Sequence, residues 1–222
     1  FKVKYKILIQ IGAAIECIHA YTLIHDDLPC MDDDNIRRGK PSTHKKYGES
    51  TAILAGNSLL TIGYEILSSK KLNISSNAKN TLISLISTCV GHSGVAGGQF
   101  LDLNYEKKKV SQNNIIDMQR KKTGMLFMFC CLAPVILSNK KIYINKFSSI
   151  GTDIGLLFQI VDDLIDFKGN SKKVGKKTKK DLKKGKATLI SLLGYENTII
   201  YCYNLKKKIF KKLKNFGISA ND

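Results

Sequence analysis

At 222 residues, with 43% hydrophobic and 24% charged side chains, the chain is long enough to bury a substantial core. Its 36 basic against 18 acidic residues leave a net charge of +18, yet only Arg37, Arg38 and Arg120 are arginines. Lysine scattered among Ile and Asn reads as a solvated surface, which weighs against a dedicated nucleic-acid face.

Apolar residues recur at helical spacing and no alternating β-branched run intervenes, so the chain is predicted to be all-α. A first helix covers about residues 3–27 and stops before Pro29, because the residue preceding proline is pushed out of the helical region. A loop with Gly39 and Pro41 follows, then helices over about residues 50–68 and 78–100. Beyond Ser111 the pattern predicts a helix to about residue 137 and another over about 145–167. Residues 168–186 are polar, lysine-rich and glycine-containing, and read as a mobile loop. Short helices over about 188–194 and 197–214 complete the reading. With no linker and no internal repeat, residues 1–222 are expected to form one domain. Phe1 opens in mid-pattern and Asp222 comes early, so the expectation is of a piece trimmed at the N-terminus and also at the C-terminus.

The six cysteines show no CxxC spacing and lie mostly in apolar stretches, as free thiols of a cytoplasmic protein would. The longest apolar run, from Met125 to Leu137, falls short of the roughly 20 residues that cross a bilayer, so stable membrane insertion is not expected.

Two aspartate clusters carry the chemistry. The first is Asp26-Asp27-Leu28-Pro29-Cys30-Met31-Asp32-Asp33-Asp34, followed by Arg37-Arg38. The second is Asp162-Asp163-Leu164-Ile165-Asp166, where Asp162 and Asp166 share one helical face. Aspartates on an apolar helix repel one another and resist burial unless a cation neutralises them. Oxygen ligands without His or Cys beside them select a hard cation, Mg²⁺ before Zn²⁺. An EF-hand counted from Asp32 fails, since Arg37 stands where glycine is needed. On an unbroken helix Asp26 and Asp32 would point about 240° apart. A bulge after Pro29 is therefore predicted to swing Asp32 back beside Asp26.

DDLPCMDDDNIRRGKPSTHKKYGES with FQIVDDLID resembles the paired aspartate motifs of the polyprenyl synthetase family. The likeness extends through Gly97–Leu103 (GGQFLDL), Lys122–Gly124 (KTG) and the lysine-rich stretch from Val174, in the family's order. It implies an all-α isoprenoid synthase fold, a helical bundle around a deep central cavity, in a homodimer. It further implies head-to-tail condensation of allylic diphosphates with isopentenyl diphosphate, most like bacterial farnesyl diphosphate synthase.

Carried over position by position, Asp26, Asp32 and Asp162 match magnesium ligands for a three-ion site, with Asp27, Asp163 and Asp166 in support. Arg37, Lys122, Thr123, Gln159, Lys176 and Lys186 match contacts of the allylic diphosphate, and His19 and Arg38 those of isopentenyl diphosphate. Lys122, Thr123 and Gln159 are expected to stabilise an allylic cation as well. Tyr21, about one and a half turns before Asp26, is expected to be the floor that limits chain length. The family's N-terminal segment for isopentenyl diphosphate has no counterpart here. A geranylgeranyl synthase, a non-catalytic partner subunit and a terpene cyclase compete with this reading. The second DDxxD motif argues against the cyclase, and the intact aspartates with Arg37 argue against the silent subunit.

Overall fold

The computed structural model describes residues 1–168 and 185–216, and these fall into two compact units, residues 1–84 and residues 85–168 with 185–216. Apart from a two-stranded hairpin, the regular elements among them are helices, in agreement with the all-α expectation.

In the first unit, α1 (Tyr5–Asp26) turns Ile11, Ala14, Ile18 and Thr22 inward, the spacing of one helical face. Its partner is α3 (Glu49–Ser68), which follows the short α2 (Thr43–Tyr47). The buried face of α3 is small, with Ala52, Gly56 and Gly63 ahead of Leu67, so the two backbones approach closely. A Cβ on Gly63 would lie 2.6 Å from Ile18 Cγ1. By length and composition α1 could also cross a bilayer, which a search for uninterrupted apolar runs overlooks.

The loop expected around Gly39 is instead a hairpin, β1 (Ile36–Arg37) and β2 (Lys40–Pro41), with Ile36 opposite Pro41 and Arg37 opposite Lys40. Arg38 (φ 52°) and Gly39 (φ 76°) make its turn, since two successive left-handed residues match the strand twist.

The helix expected over residues 78–100 is two helices, α4 (Ser76–Val90), within which the boundary between the units falls, and α5 (Val95–Asn104). The break needs its glycines: a Cβ on Gly94 would sit 1.9 Å from Cys89 O, and one on Gly97 1.8 Å from His92 O.

In the second unit α6 (Gln112–Gln119) starts on Ser111, whose hydroxyl accepts from Asn114 N–H at 3.3 Å. It continues through a π-helical turn, Arg120–Gly124, into α7 (Met125–Leu137). After α8 (Ile144–Lys168) come α9 (Leu189–Leu193), opened by a Thr188–Ser191 capping box, and α10 (Tyr195–Leu213). Ile115, Leu156, Ile160, Leu189, Leu205 and Ile209 form a core uniting α6, α8, α9 and α10. Glycines again set the closest approach: a Cβ on Gly155 of α8 would lie 2.5 Å from Gly124 Cα in the π-helical turn.

Candidate active site

In the first unit the aspartate cluster is built at the C-terminus of α1. Leu28 N–H donates to His25 O at 3.1 Å, and Met31 N–H and Asp33 N–H both donate to Leu28 O. Asp32 N–H then reaches back to Asp26 O at 2.8 Å, and Asp34 N–H to Asp27 O at 3.1 Å. Asp33 takes a left-handed conformation (φ 47°) to close the bulge. The fold-back expected after Pro29 is thus made by main-chain bonds, and it places the Asp26 and Asp32 backbones side by side.

Asp27 is 2% exposed and holds Arg37. Arg37 Nε donates to both carboxylate oxygens at 3.2 Å, and Nη2 also bonds Oδ1. Burial pulls the guanidinium pKa down, but the Asp27 hydrogen bond and the charges of Asp27, Asp34 and Asp26 outweigh it, so the net shift is upward. The two-point contact of a guanidinium with a buried carboxylate fixes the orientation of Arg37. Arg38 stands exposed at the hairpin turn.

His19 is half-buried on α1, and desolvation with Arg38 and Arg37 nearby pulls its pKa down against the opposing pull of Glu16. Tyr21 is also half-buried, and the His25 ring meets it edge-on at 4.8 Å. His25 is turned toward α3: Nε2 lies 3.2 Å from Ile53 O, and the ring occupies the space a side chain at Gly56 would need. Nε2 of His25 is thus engaged away from the aspartates.

In the second unit, α8 buries Asp163 and Asp166 and leaves Asp162 partly exposed. Asp163 accepts from Gln119 Nε2 and from Gln159 Nε2, both at 2.8 Å, and Gln159 Oε1 accepts from the Thr123 hydroxyl at 2.7 Å. The π-helical turn is thereby wired through Gln159 to the aspartate motif. Such turns add a residue and shift backbone groups out of α register, often where function demands it.

Sequence reasoning missed Asp102. It is 5% exposed, and both Lys122 Nζ and Lys186 Nζ donate to its Oδ2, the latter at 3.0 Å. Burial pushes its pKa up, but the two lysines prevail and hold the carboxyl below its usual range. One turn earlier on α5, Gln99 is buried with neither amide atom hydrogen-bonded among the described residues. Gln119 was missed as well. The signal available was weak: Gln99 and Asp102 lie in the GGQFLDL stretch, but nothing near them in sequence names a partner.

A small open hollow beside these groups is lined by Asp163, Asp166, Lys186, Thr188 and Ser191. Lys176 lies outside the described residues. Among the described residues no three His, Cys, Asp or Glu side chains converge tightly enough to hold an ion by themselves.

The family model described as polyprenyl synthetase matches residues 2–215. A farnesyl diphosphate synthase of Bacillus subtilis is 40% identical over 85% of this chain and 64% of its own length. A geranylgeranyl diphosphate synthase of Cyanophora paradoxa is also 40% identical, over 85% of this chain and 63% of its own. The chain thus spans just under two thirds of these relatives. A geranyltransferase of Helicobacter pylori, solved with magnesium and isoprenyl diphosphate, superposes with a TM-score of 0.88. It is 32% identical, with 96% of this chain and 69% of that one covered.

Proposed function

The chain belongs to the polyprenyl synthetase family and has its all-α isoprenoid synthase fold, and on that premise we propose that it is a prenyltransferase. It joins dimethylallyl or geranyl diphosphate head-to-tail to isopentenyl diphosphate, and its main product is farnesyl diphosphate. It works as a homodimer of a single isoprenoid synthase domain, in the cytoplasm, where its six free cysteines stay reduced. It neither inserts into membrane nor binds nucleic acid.

The observation that carries the reading is the main-chain fold-back from Asp32 to Asp26. It brings the Asp26 and Asp32 backbones together, where an unbroken helix would point the two side chains about 240° apart, and so supports reading them as neighbouring ligands. The donor set, dominated by carboxylates, suits magnesium. Asp26, Asp32 and Asp162 would hold the ions, three per site, and Asp27, Asp163 and Asp166 would support them. When bound, magnesium supplies the positive charge that favours departure of the diphosphate.

The chain's own residues do the rest. Arg37, kept charged and oriented by Asp27, and Lys122, Lys176 and Lys186 bind the allylic diphosphate and stabilise its charge as the C–O bond breaks. His19 and Arg38 bind the diphosphate of isopentenyl diphosphate; a neutral His19 serves as a hydrogen-bond donor there. The Thr123 and Gln159 oxygens and the backbone carbonyls at Lys122 lend negative dipole to the allylic cation. Gln159 is pre-oriented, since Thr123 and Asp163 fix both ends of its amide. The alkene attacks the cation, and the proton lost passes to the released diphosphate. Tyr21, braced by His25, closes the far end of the tail site.

The Cyanophora relative keeps geranylgeranyl diphosphate as the second reading of the product. The test is incubation of the full-length protein with Mg²⁺, geranyl diphosphate and labelled isopentenyl diphosphate, with chromatography of the product. Farnesyl diphosphate is expected. Absence of condensation overturns the enzyme reading, and geranylgeranyl product overturns only the chain-length assignment.

A further inference from the structure

One further buried carboxylate of the second unit has no part in the reaction as proposed. Asp153 lies on α8 ahead of the aspartate motif and is 1% exposed. Its Oδ1 accepts from Arg120 Nη2 at 2.9 Å. Its Oδ2 accepts from Lys212 Nζ at 2.7 Å and pairs with Lys208 Nζ at 3.1 Å. Lys212 also donates to the Ser149 hydroxyl. Burial works against ionisation, yet the lysines prevail and the carboxyl pKa is lowered. One anion therefore gathers three cations. Two come from α10 and the third, Arg120, opens the π-helical turn that carries Lys122 and Thr123.

The consequences of losing that anion are unequal. Lys208 is 53% exposed in its side chain and can turn to water, and Lys212 keeps the Ser149 hydroxyl as a second partner. Arg120 is held more closely: its side chain is 41% exposed, but its Nε is buried with no hydrogen-bond partner among the described residues. An uncompensated, half-buried guanidinium is costly. The cheapest relief is movement of the turn that it begins. That turn is wedged between Gly98 of α5 and Gly155 of α8, so small shifts there relocate the Lys122 and Thr123 backbones.

We propose that Asp153 is a positioning residue: it clamps α10 to the π-helical turn and so fixes where Lys122 and Thr123 stand. The inference rests on the proposed roles of those two residues, but its first test does not. In full-length protein, Asp153→Asn is expected to accelerate amide hydrogen exchange across Arg120–Gly124 while the C-terminal half of α7 keeps its protection. Asp153→Glu, which retains the charge, is expected to restore much of it. Unchanged exchange in the turn, or loosening confined to α10, overturns the proposal whether or not the protein is an enzyme.

The second test is a double-mutant cycle. Asp153→Asn alone is expected to lower kcat by roughly tenfold to a hundredfold, the scale of an ångström-sized misplacement. In a Lys122→Ala background the same change is expected to do much less, because the residue it positions is gone. Additive losses mean a general weakening of the fold and overturn it. A wild-type protein without condensation activity sinks the enzyme reading, and the exchange measurement still decides the clamp.

Discussion

Gly98→Ala probes the π-helical turn from the side opposite Asp153. A Cβ at residue 98 would fall 2.2 Å from Lys122 N, 2.5 Å from Lys122 Cα and 2.8 Å from Lys121 C. These are backbone atoms, so no rotamer change relieves them. Ordinary contact begins near 3.4 Å, and the turn and α5 must part by about 1 Å. Overpacking of this kind costs about 3 kcal/mol, the upper end of the usual range. The stiffer unfolded chain offsets up to about 1 kcal/mol of that. The net loss of about 2 kcal/mol corresponds to a fall in Tm of roughly 4–8 °C for a chain this long. A displaced Lys122 and Thr123 should also lower kcat by roughly a hundredfold. Thermal unfolding and steady-state kinetics on full-length protein read both effects. Gly12→Ala is the control: nothing lies within 4 Å of its added methyl, and α1 should gain about 0.5–1 kcal/mol. If Gly98→Ala melts within a degree of wild type and keeps its kcat, the close approach of α5 to the turn is wrong.

Asp163→Asn keeps the shape of the side chain but turns one of its two acceptor oxygens into a donor, so either the Gln119 or the Gln159 amide meets a donor where it met an acceptor. Urea unfolding should show a loss of about 1–3 kcal/mol, and an unchanged midpoint would refute the amide network. Tyr21→Ala should open the tail site and yield products longer than farnesyl diphosphate, and an unaltered product by chromatography defeats the floor. His19 has a folded pKa below its unfolded one, so the unfolded state takes up the proton first as pH falls. Stability should therefore decline as pH drops below about 6.5, and His19→Gln should flatten that slope. Parallel stability–pH curves for the two proteins would contradict it.

What the sequence made legible and what it hid follow from how far a cause lies from its effect along the chain. Helix α1 and helix α8 were readable because Ile11, Ala14, Ile18 and Leu156, Ile160 repeat at the helical period within one segment. Pro29 announced the end of α1 and with it the bulge that returns Asp32 to Asp26. The break between α4 and α5 was hidden because Val95 resumes an apolar pattern directly after the glycines. The π-helical turn was invisible, since one added residue leaves an apolar stretch looking helical throughout. Strands of two residues are too short for any alternation to register. Within the site, Asp27 and Arg37 were both singled out because they lie in one short motif, although their pairing was not read. Asp102 could not be matched to Lys186, 84 residues away, nor Asp153 to Lys212, 59 residues away. A single aspartate on an amphipathic helix carries no mark of burial until its partner is known.

The positive surplus deserves a different account from the one that composition suggests. Most lysines are solvated, but Asp27 engages Arg37, Asp102 engages Lys122 and Lys186, and Asp153 engages Arg120, Lys208 and Lys212. Cations match or outnumber the buried anion at each of these centres. At Asp102 the pairing bears on the proposed diphosphate site. Lys122 and Lys186 are already largely withdrawn from water, with side chains 18% and 12% exposed, and their rotamers are already ordered. A diphosphate arriving there would meet two ammonium groups already held by one carboxylate. Little further desolvation or ordering of the lysines would oppose its binding. Dipoles and charges fixed beforehand also strengthen as negative charge grows on the leaving group, which uniformly solvated lysines do not achieve. On the proposed reading, the carboxylate that weakens each lysine's charge would thus improve the pair as a receptor, because it holds both in place before substrate arrives.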